Sequence, residues 1–256
     1  MTVSYGSSTD PKLADGSDGS GVAGYTAAQT FSTSGSHAYS GKATDNAGNE
    51  SASATGTVKV DATAPVVSLT CPSELKLGST ASASWTAQDA HSGLAGAAGG
   101  AVSLDTTAVG EKTASVPAGT AQDKVGHGSA AASCQYRVIY DFHGFFEPVN
   151  NPSWLNSMKA GQAVPVKFDL SGYQGMSIFA AGYPSSKPIA CPSSAPPDTV
   201  EEAFDYAGQS SLSYDQTTQR YSFVWKTDKA WAGKCRQLMV RFSDGREYVA
   251  NFQFTK

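Results

Sequence analysis

Between residues 3 and 139 the chain writes one pattern of turns and strands twice, and this duplication limits the fold more than any other feature. The first copy runs Val3-Ser4-Tyr5, then Asp18-Gly19-Ser20-Gly21-Val22-Ala23, then Ala43-Thr44-Asp45-Asn46-Ala47-Gly48-Asn49. The second runs Ala83-Ser84-Trp85, then Asp89-Ala90-His91-Ser92-Gly93-Leu94-Ala95, then Ala121-Gln122-Asp123-Lys124-Val125-Gly126-His127. Short alternating stretches fill the gaps, such as Gln29-Thr30-Phe31-Ser32-Thr33 and Thr55-Gly56-Thr57-Val58-Lys59-Val60. Apolar residues at every second position, broken by Gly, Ser and Asp, predict an all-β sandwich. No window carries the 3.6-residue period of an amphipathic helix.

The Asp-containing pieces are turn chemistry. An Asp side chain accepts a hydrogen bond from its own backbone two residues on, and Gly supplies a positive φ. Asp15, Asp18, Asp45 and Asn49 could instead offer oxygens to a Ca²⁺ ion. Calcium usually takes six to eight oxygen ligands, and single acids in separate loops do not promise that set, so the turn reading is preferred.

After Cys134 the composition shifts, with more aromatics and more charge. Cys134 to Phe142 reads as one strand leading out of the second copy. Val164, Val166, Phe168 and Leu170 alternate with Ala163, Pro165, Lys167 and Asp169, predicting a half-buried strand. Pro165 cannot donate to a ladder and places that strand at an edge or bulge. Tyr221, Phe223 and Trp225 share one face of a further strand. Leu238 to Phe242, the turn Ser243-Asp244-Gly245, and Tyr248 to Phe254 predict a hairpin. Pro192 to Pro197 reads as a loop, and Thr199 to Ala203 as either a strand or one helical turn. The chain therefore divides at residues 1–61, 62–139 and 140–256.

The four cysteines permit three connectivities. The segmentation puts Cys71 and Cys134 in one domain and Cys191 and Cys235 in the next, so 71–134 and 191–235 are the expected pairs. Loops of that length are worth about 4 kcal/mol each in the chain-entropy account. No Cys-x-x-Cys or Cys/His cluster argues for zinc. Paired cysteines imply an oxidising compartment.

These residues also resemble known families. The Asp-x-x-Ser-Gly-(Val/Leu)-Ala and Ala-Thr-Asp-Asn-Ala-Gly-Asn elements, with the junction Val60-Asp61-Ala62-Thr63-Ala64-Pro65-Val66, resemble tandem bacterial Ig-like repeats over roughly residues 1–139. Phe142-His143-Gly144-Phe145-Phe146-Glu147-Pro148, Val164-Pro165-Val166-Lys167-Phe168 and Trp225-Lys226-Thr227-Asp228-Lys229-Ala230-Trp231 resemble the domain named for its Pro-x-Lys-Phe motif, over 140–256. The resemblance implies two Ig-like β-sandwiches, then a small β-sandwich-like C-terminal domain, in a secreted or cell-surface bacterial protein. The first repeat lacks the Asp-x-Thr-Ala-Pro opening and first strand of the second, so it is expected to be truncated. Upstream domains of the same polypeptide, and a signal peptide among them, are expected to precede it, because Met1-Thr2-Val3-Ser4-Tyr5 has neither a basic nor an apolar leader region.

The function classes narrow accordingly. A net charge of −4 provides no basic footprint for nucleic acid, and no apolar run reaches the ~18 residues of a membrane span. His37, His91, His127 and His143 sit in different repeats or at junctions, without a nucleophile frame. Glu201 and Glu202 are adjacent and would point to opposite faces of a strand, unlike the paired acids of a glycosidase. The Gly93–Gly100 stretch lacks the Gly-Lys-Ser/Thr ending of a phosphate loop. No catalytic residue, metal or cofactor is expected. The remaining site idea is aromatic: Trp154, Tyr173, Tyr183, Trp225 and Trp231 lie in or beside loops. Of these Trp231, with Trp154 and Tyr183, is the expected ligand contact for a polysaccharide or surface protein. The competing reading packs Trp225 and Trp231 into the core. The leading functional expectation is a spacer and presentation module, the alternative a binding module.

Overall fold

The computed structural model describes residues 1–191, 197–199 and 211–256. Of the loop expected at Pro192–Pro197 and the strand or turn expected at Thr199–Ala203, residues 192–196 and 200–203, with the Glu201–Glu202 pair, lie outside the described residues, while Pro197 and Thr199 belong to a strand. Six short strands form from residues 1–61: β1 (Thr2–Val3), β2 (Val22–Tyr25), β3 (Gln29–Thr30), β4 (Gly35–Gly41), β5 (Ala43–Asp45) and β6 (Ala54–Val60). They make three two-stranded sheets, β1-β3, β2-β5 and β4-β6. Residues 62–139 add β7 (Val66–Thr70), β8 (Glu74–Lys76), β9 (Ser82–Gln88), β10 (Gly99–Ser103), β11 (Gly110–Val116) and β12 (Ala132–Ile139). These form two three-stranded sheets, β10-β9-β7 and β11-β12-β8.

The remaining strands are β13 (Phe145–Phe146), β14 (Leu155–Lys159), β15 (Ala163–Phe168), β16 (Ser185–Ile189), β17 (Pro197–Thr199), β18 (Ser213–Asp215), β19 (Arg220–Lys226), β20 (Cys235–Arg241) and β21 (Glu247–Thr255). They build a four-stranded sheet, β13-β15-β19-β18, and a five-stranded sheet, β16-β20-β21-β14-β17. Among the described residues the helical element is one 3₁₀ turn, Lys229–Trp231; no helix is long and apolar enough to cross a membrane. The chain is all-β.

Two compact units result. One comprises Met1–Thr70, Ser84–Val102 and Ser115–Ser133; the other comprises Cys71–Ala83, Ser103–Ala114 and Cys134–Lys256. The segment 62–139 thus contributes to both, because its strands belong to two different sheets. Within the second unit the disulfides join Cys71 to Cys134 and Cys191 to Cys235, with Cα atoms 5.7 and 5.1 Å apart.

Alternation explains how the second unit closes. Val164, Val166 and Phe168 of β15 and Tyr221 and Phe223 of β19 turn one face inward. Leu238 and Val240 of β20 and Ala250, Phe252 and Phe254 of β21 meet them from the five-stranded sheet. Phe168 is the hub: its ring centroid lies 5.4 Å from Phe242, 5.5 Å from Tyr221 and 6.0 Å from Phe179, the spacing at which aromatic pairs gain beyond plain burial.

Two sequence expectations change. The strand carrying Pro165 is not half-buried, since Ala163 and Pro165 are buried along with Val164 and Val166. Pro165 still occupies a local edge. It faces Val224 of β19 on one side, while β13 on the other side pairs only with Lys167 and Phe168. A residue without an N–H can sit there without breaking a ladder bond. The strand after Cys134 also ends at Ile139 rather than Phe142, because the Tyr140 N–H leaves the ladder and donates to Asp244 Oδ2 at 2.8 Å. Asp244 caps its own turn as well, accepting from Arg246 N at 2.8 Å, and Gly245 supplies the φ of 88° that closes it.

Phe168 is fully buried, and the rings around it cannot collapse into the space it would vacate. Phe168→Ala should therefore cost about 3–5 kcal/mol, read as a lower denaturant midpoint for loss of near-UV dichroism.

Candidate functional site: exposed aromatics and a carboxylate–histidine turn

The aromatic residues separate into packed and presented rings. Trp231 closes the 3₁₀ turn, which Asp228 caps by accepting the Ala230 N–H at 2.8 Å. Its ring lies 5.9 Å from Trp225 and 5.4 Å from Phe254, packed against the core. The Arg236 guanidinium sits 4.2 Å from the ring centroid, a cation–π contact. Trp231 is thus half-buried with one face engaged by Arg236, closer to the packing alternative than to a freely presented ring. Tyr183 is also half-buried.

Of the five aromatics singled out from the sequence, Trp154 and Tyr173 are the open rings, 46% and 59% exposed. Tyr173 has a firm backing. Its centroid is 5.1 Å from Tyr214 and 6.4 Å from Tyr221, nearly parallel to the latter. The Tyr221 hydroxyl accepts the Gln174 N–H at 2.6 Å and donates to Gly175 O at 2.9 Å, which fixes the loop carrying Tyr173. A ring held open on a fixed loop suits stacking, because little conformational freedom remains to be lost on contact.

A polar cluster stands in the first unit, and sequence reasoning did not assemble it. Asp61, Asp123 and His127 bring one ligand-capable atom each to within 4.8 Å of one another. Asp123 Oδ1 accepts the N–H groups of Val125 and His127 at 2.9 and 2.8 Å, and its Oδ2 accepts from His127 Nδ1 at 2.7 Å. Asp61 Oδ1 accepts from the Thr63 N–H and hydroxyl, and Oδ2 from the Ser92 N–H at 2.9 Å. Each carboxylate oxygen already has a donor. Three ligands also fall short of a calcium shell.

The expected calcium residues sit elsewhere. Asp15 accepts from the Ser17 N–H and hydroxyl, and Asp18 pairs with Lys12 at 2.9 Å. Asp45 Oδ1 accepts from Ala47 N and Asn49 N, while Oδ2 accepts from Asn49 Nδ2 at 2.8 Å. This last turn matches the one at Asp123 bond for bond, with Asn49 in the place of His127. The neighbours match too. Asn46 N donates to Gly21 O as Lys124 N donates to Gly93 O, and the pair Val22–Asp45 recurs as Leu94–Asp123.

Charge follows from these bonds. The hydrogen bond to Asp123 raises the His127 pKa above 6.5 against the opposing effect of burial, with further help from the Asp123 and Asp61 charges. For Asp123 burial is the largest influence and pushes upward, yet the His127 and Val125 donors outweigh it and the carboxyl ends below its ordinary value. Hydrogen bonds from Ser92 and Thr63 hold Asp61 far below the usual carboxylate range.

No family model and no curated protein matches the chain. Among solved structures that match is the Bacteroides ovatus mixed-linkage glucan utilization locus SGBP-B in complex with a mixed-linkage heptasaccharide. The match has 10% identity and a TM-score of 0.22, covering 89% of this chain and 54% of that one. The chain spans about half the length of that protein. A TM-score so low leaves that protein's ligand without bearing on this chain.

Because folding raises the His127 pKa, the stability its ion pair contributes is fully present below pH 6.5 and is lost as pH climbs through the raised value. The ring should titrate by NMR with a midpoint above 6.5, returning toward the ordinary value in Asp123→Asn. His127→Asn, which keeps the bond that Asn49 makes, should flatten the dependence of melting temperature on pH between about 5.5 and 9.

Proposed function

We infer that the chain is a non-catalytic spacer and presentation region of a larger secreted or cell-surface bacterial protein. The observation that carries this reading is the clamped connector at Asp61–Pro65. The Ala62 N–H donates to Ser34 Oγ at 2.9 Å on one side of it. On the other side Asp61 Oδ2 takes the Ser92 N–H, and the Thr63 hydroxyl meets His91 Nδ1 at 3.2 Å. Pro65 adds its own stiffness. A connector tied to both flanking segments transmits position, which a spacer requires and a flexible tether does not supply.

The passage out of β12, at Tyr140–Asp141, is fastened in the same manner. Lys76 pairs with Asp141 at 2.5 Å, Arg246 pairs with Glu74, and Tyr140 is bonded to Asp244. Two disulfides suit an oxidising, extracytoplasmic setting. The resemblance to tandem Ig-like repeats followed by a Pro-x-Lys-Phe domain supports the same assignment. So does the character of the Asp61–Asp123–His127 cluster, whose oxygens are occupied by backbone and side-chain donors.

A second reading has its own observation. Tyr173 and Trp154 present open rings on the C-terminal domain, and such rings can bind the apolar faces of sugar units or a surface protein.

The two readings separate experimentally. Residual dipolar couplings from residues 1–61 and from the β10-β9-β7 sheet should fit one alignment tensor in the wild type and require two in Asp61→Ala. A wild type that already needs two would remove the rigid-spacer reading. In sedimentation assays with insoluble cellulose, chitin and cell-wall preparations, a spacer stays in the supernatant. Retention that drops at least about tenfold in Tyr173→Ala or Trp154→Ala, while Trp231→Ala mainly lowers stability, would establish the binding reading instead.

A further inference from the structure

Four lysines of the C-terminal domain stand without a counter-ion, although the chain as a whole is acidic, with a net charge of −4. Lys12, Lys42, Lys76 and Lys112 each pair with a carboxylate. Lys159, Lys226, Lys229 and Lys234 are exposed and have no such partner among the described residues. The fold gathers these four at one end of the two sheets. They come from the β14–β15 turn at 159–162 and the β19–β20 link at 226–234, both beside the end of β21. Backbone bonds knit the passages together. The Thr227 N–H donates to Gln162 O and the Gly161 N–H to Thr227 Oγ1, each at 3.1 Å. The Ala160 N–H reaches Thr255 O at 3.1 Å, the Gly233 N–H reaches Phe254 O at 2.8 Å, and Lys234 O accepts the Phe254 N–H at 2.9 Å.

Nothing in these passages offsets the charge. Asp228 is their one acid, and its carboxylate already accepts the Ala230 N–H. Asp169, Asp215, Asp244 and Glu247 lie at the opposite strand ends, after β15, ahead of β19 and in the β20–β21 hairpin. Arg236 is engaged by the Trp231 ring and by Ser186. The Lys229 stem is seated, since it lies so close over Gly161 that a Cβ there would come within 2.4 Å of its Cγ. Like charges held together repel one another, and the field they make concentrates anions. Beside Lys226 a hollow of about 250 Å³ is lined by Pro184, Phe223, Val224 and Trp225. The Trp225 ring rests against Phe252, with the ring centroids 4.8 Å apart.

We propose that the rim of Lys159, Lys226, Lys229 and Lys234 docks an acidic polysaccharide, a chain of pyranose rings that carry carboxylates. One ring sits in the hollow against Trp225 and Pro184, and the carboxylates meet the ammonium groups. An apolar floor beside a cation matches a sugar ring bearing an acid group. A polyol phosphate has the charge but lacks the flat apolar face. A bilayer takes apolar side chains into its interface, and Trp154, Tyr173 and Met176, the exposed large apolar side chains of residues 140–256, belong to other passages. The site goes beyond the spacer reading and uses neither the connector nor the Tyr173 and Trp154 rings, so each idea can fail alone.

The test is affinity electrophoresis of the full chain through gels carrying polygalacturonate. Migration should be retarded, with the affinity falling at least about tenfold between about 50 and 200 mM salt. A chain carrying Lys159→Gln, Lys226→Gln, Lys229→Gln and Lys234→Gln together should lose at least about tenfold in affinity at the lower salt. Lys59→Gln with Lys124→Gln, two exposed lysines outside the rim, should leave it unchanged. Methyl-esterified polygalacturonate keeps the rings without the charge and should not retard the chain. On binding, the Trp225 indole resonance should shift and that of Trp85 should not. No retardation by polygalacturonate, equal losses in the two lysine variants, or undiminished binding of the esterified polymer overturns the proposal. DNA or polyphosphate held as tightly as polygalacturonate overturns it in favour of a general anion exchanger. Tighter binding to vesicles of anionic phospholipid overturns it in favour of a membrane surface.

Discussion

Carboxylates that take the backbone N–H two residues onward hold this molecule's turns, and the sheets depend on them. Asp45, Asp61, Asp89, Asp105, Asp123 and Asp244 all make this bond. Strands of two to nine residues leave many N–H groups at their ends with no ladder partner, and a buried orphan N–H is expensive. An ionised carboxylate supplies a strong acceptor in the right place. Some of these acids then take a second donor from far along the chain, as Asp61 does from Ser92 and Asp244 from Tyr140. A local turn thereby becomes a tertiary contact. Such bonds weaken when the carboxyl takes a proton, since a neutral carboxyl is the poorer acceptor.

Turn chemistry alone does not make a deep core, and the parts of the chain differ in what they add. In the C-terminal region two sheets trap a continuous aromatic layer around Phe168, with Tyr221, Phe223, Phe242, Phe252 and Phe254. Residues 1–61 have nothing comparable, and small residues let their few rings settle instead. Gly41 lies under the Tyr5 ring so closely that a Cβ there would come within 2.3 Å of a ring carbon. Stability in that part rests on backbone pairing and on bonds such as Tyr5 Oη to Gln29 Oε1 at 2.9 Å.

The all-β class was legible because alternation is a local property, and each strand writes it in its own residues. The Asp turns were legible for the same reason. The cluster of Asp61, Asp123 and His127 was not, since it joins a connector to a turn more than sixty residues away in sequence, and nothing near Asp61 names its partners. The duplicated pattern did hold one clue: His127 stands where Asn49 stands, and both positions require a donor toward the preceding Asp. The packing of Trp231 was equally non-local, depending on Trp225, Arg236 and Phe254 from three different strands. Small flanking residues suggested a presented ring, whereas they allow the turn to lay the indole onto the sheet. Pro165 was read correctly as a position lacking a ladder donor, but burial of its face depends on what lies above the sheet.

The exchange of Asn49 for His127 has a consequence that reaches the connector. Both side chains donate to an aspartate oxygen at nearly the same distance, 2.8 and 2.7 Å, so both turns have the same geometry. Only the second can change charge near neutral pH. The Asp61 carboxylate helps raise the His127 pKa, and a coupling of this kind is reciprocal. A proton on His127 must therefore favour the ionised Asp61 that grips Ser92 and Thr63, by the same free energy with which Asp61 favours the proton. The connector and the turn form one electrostatic unit, in which the Asp61 charge and the His127 proton stabilise each other.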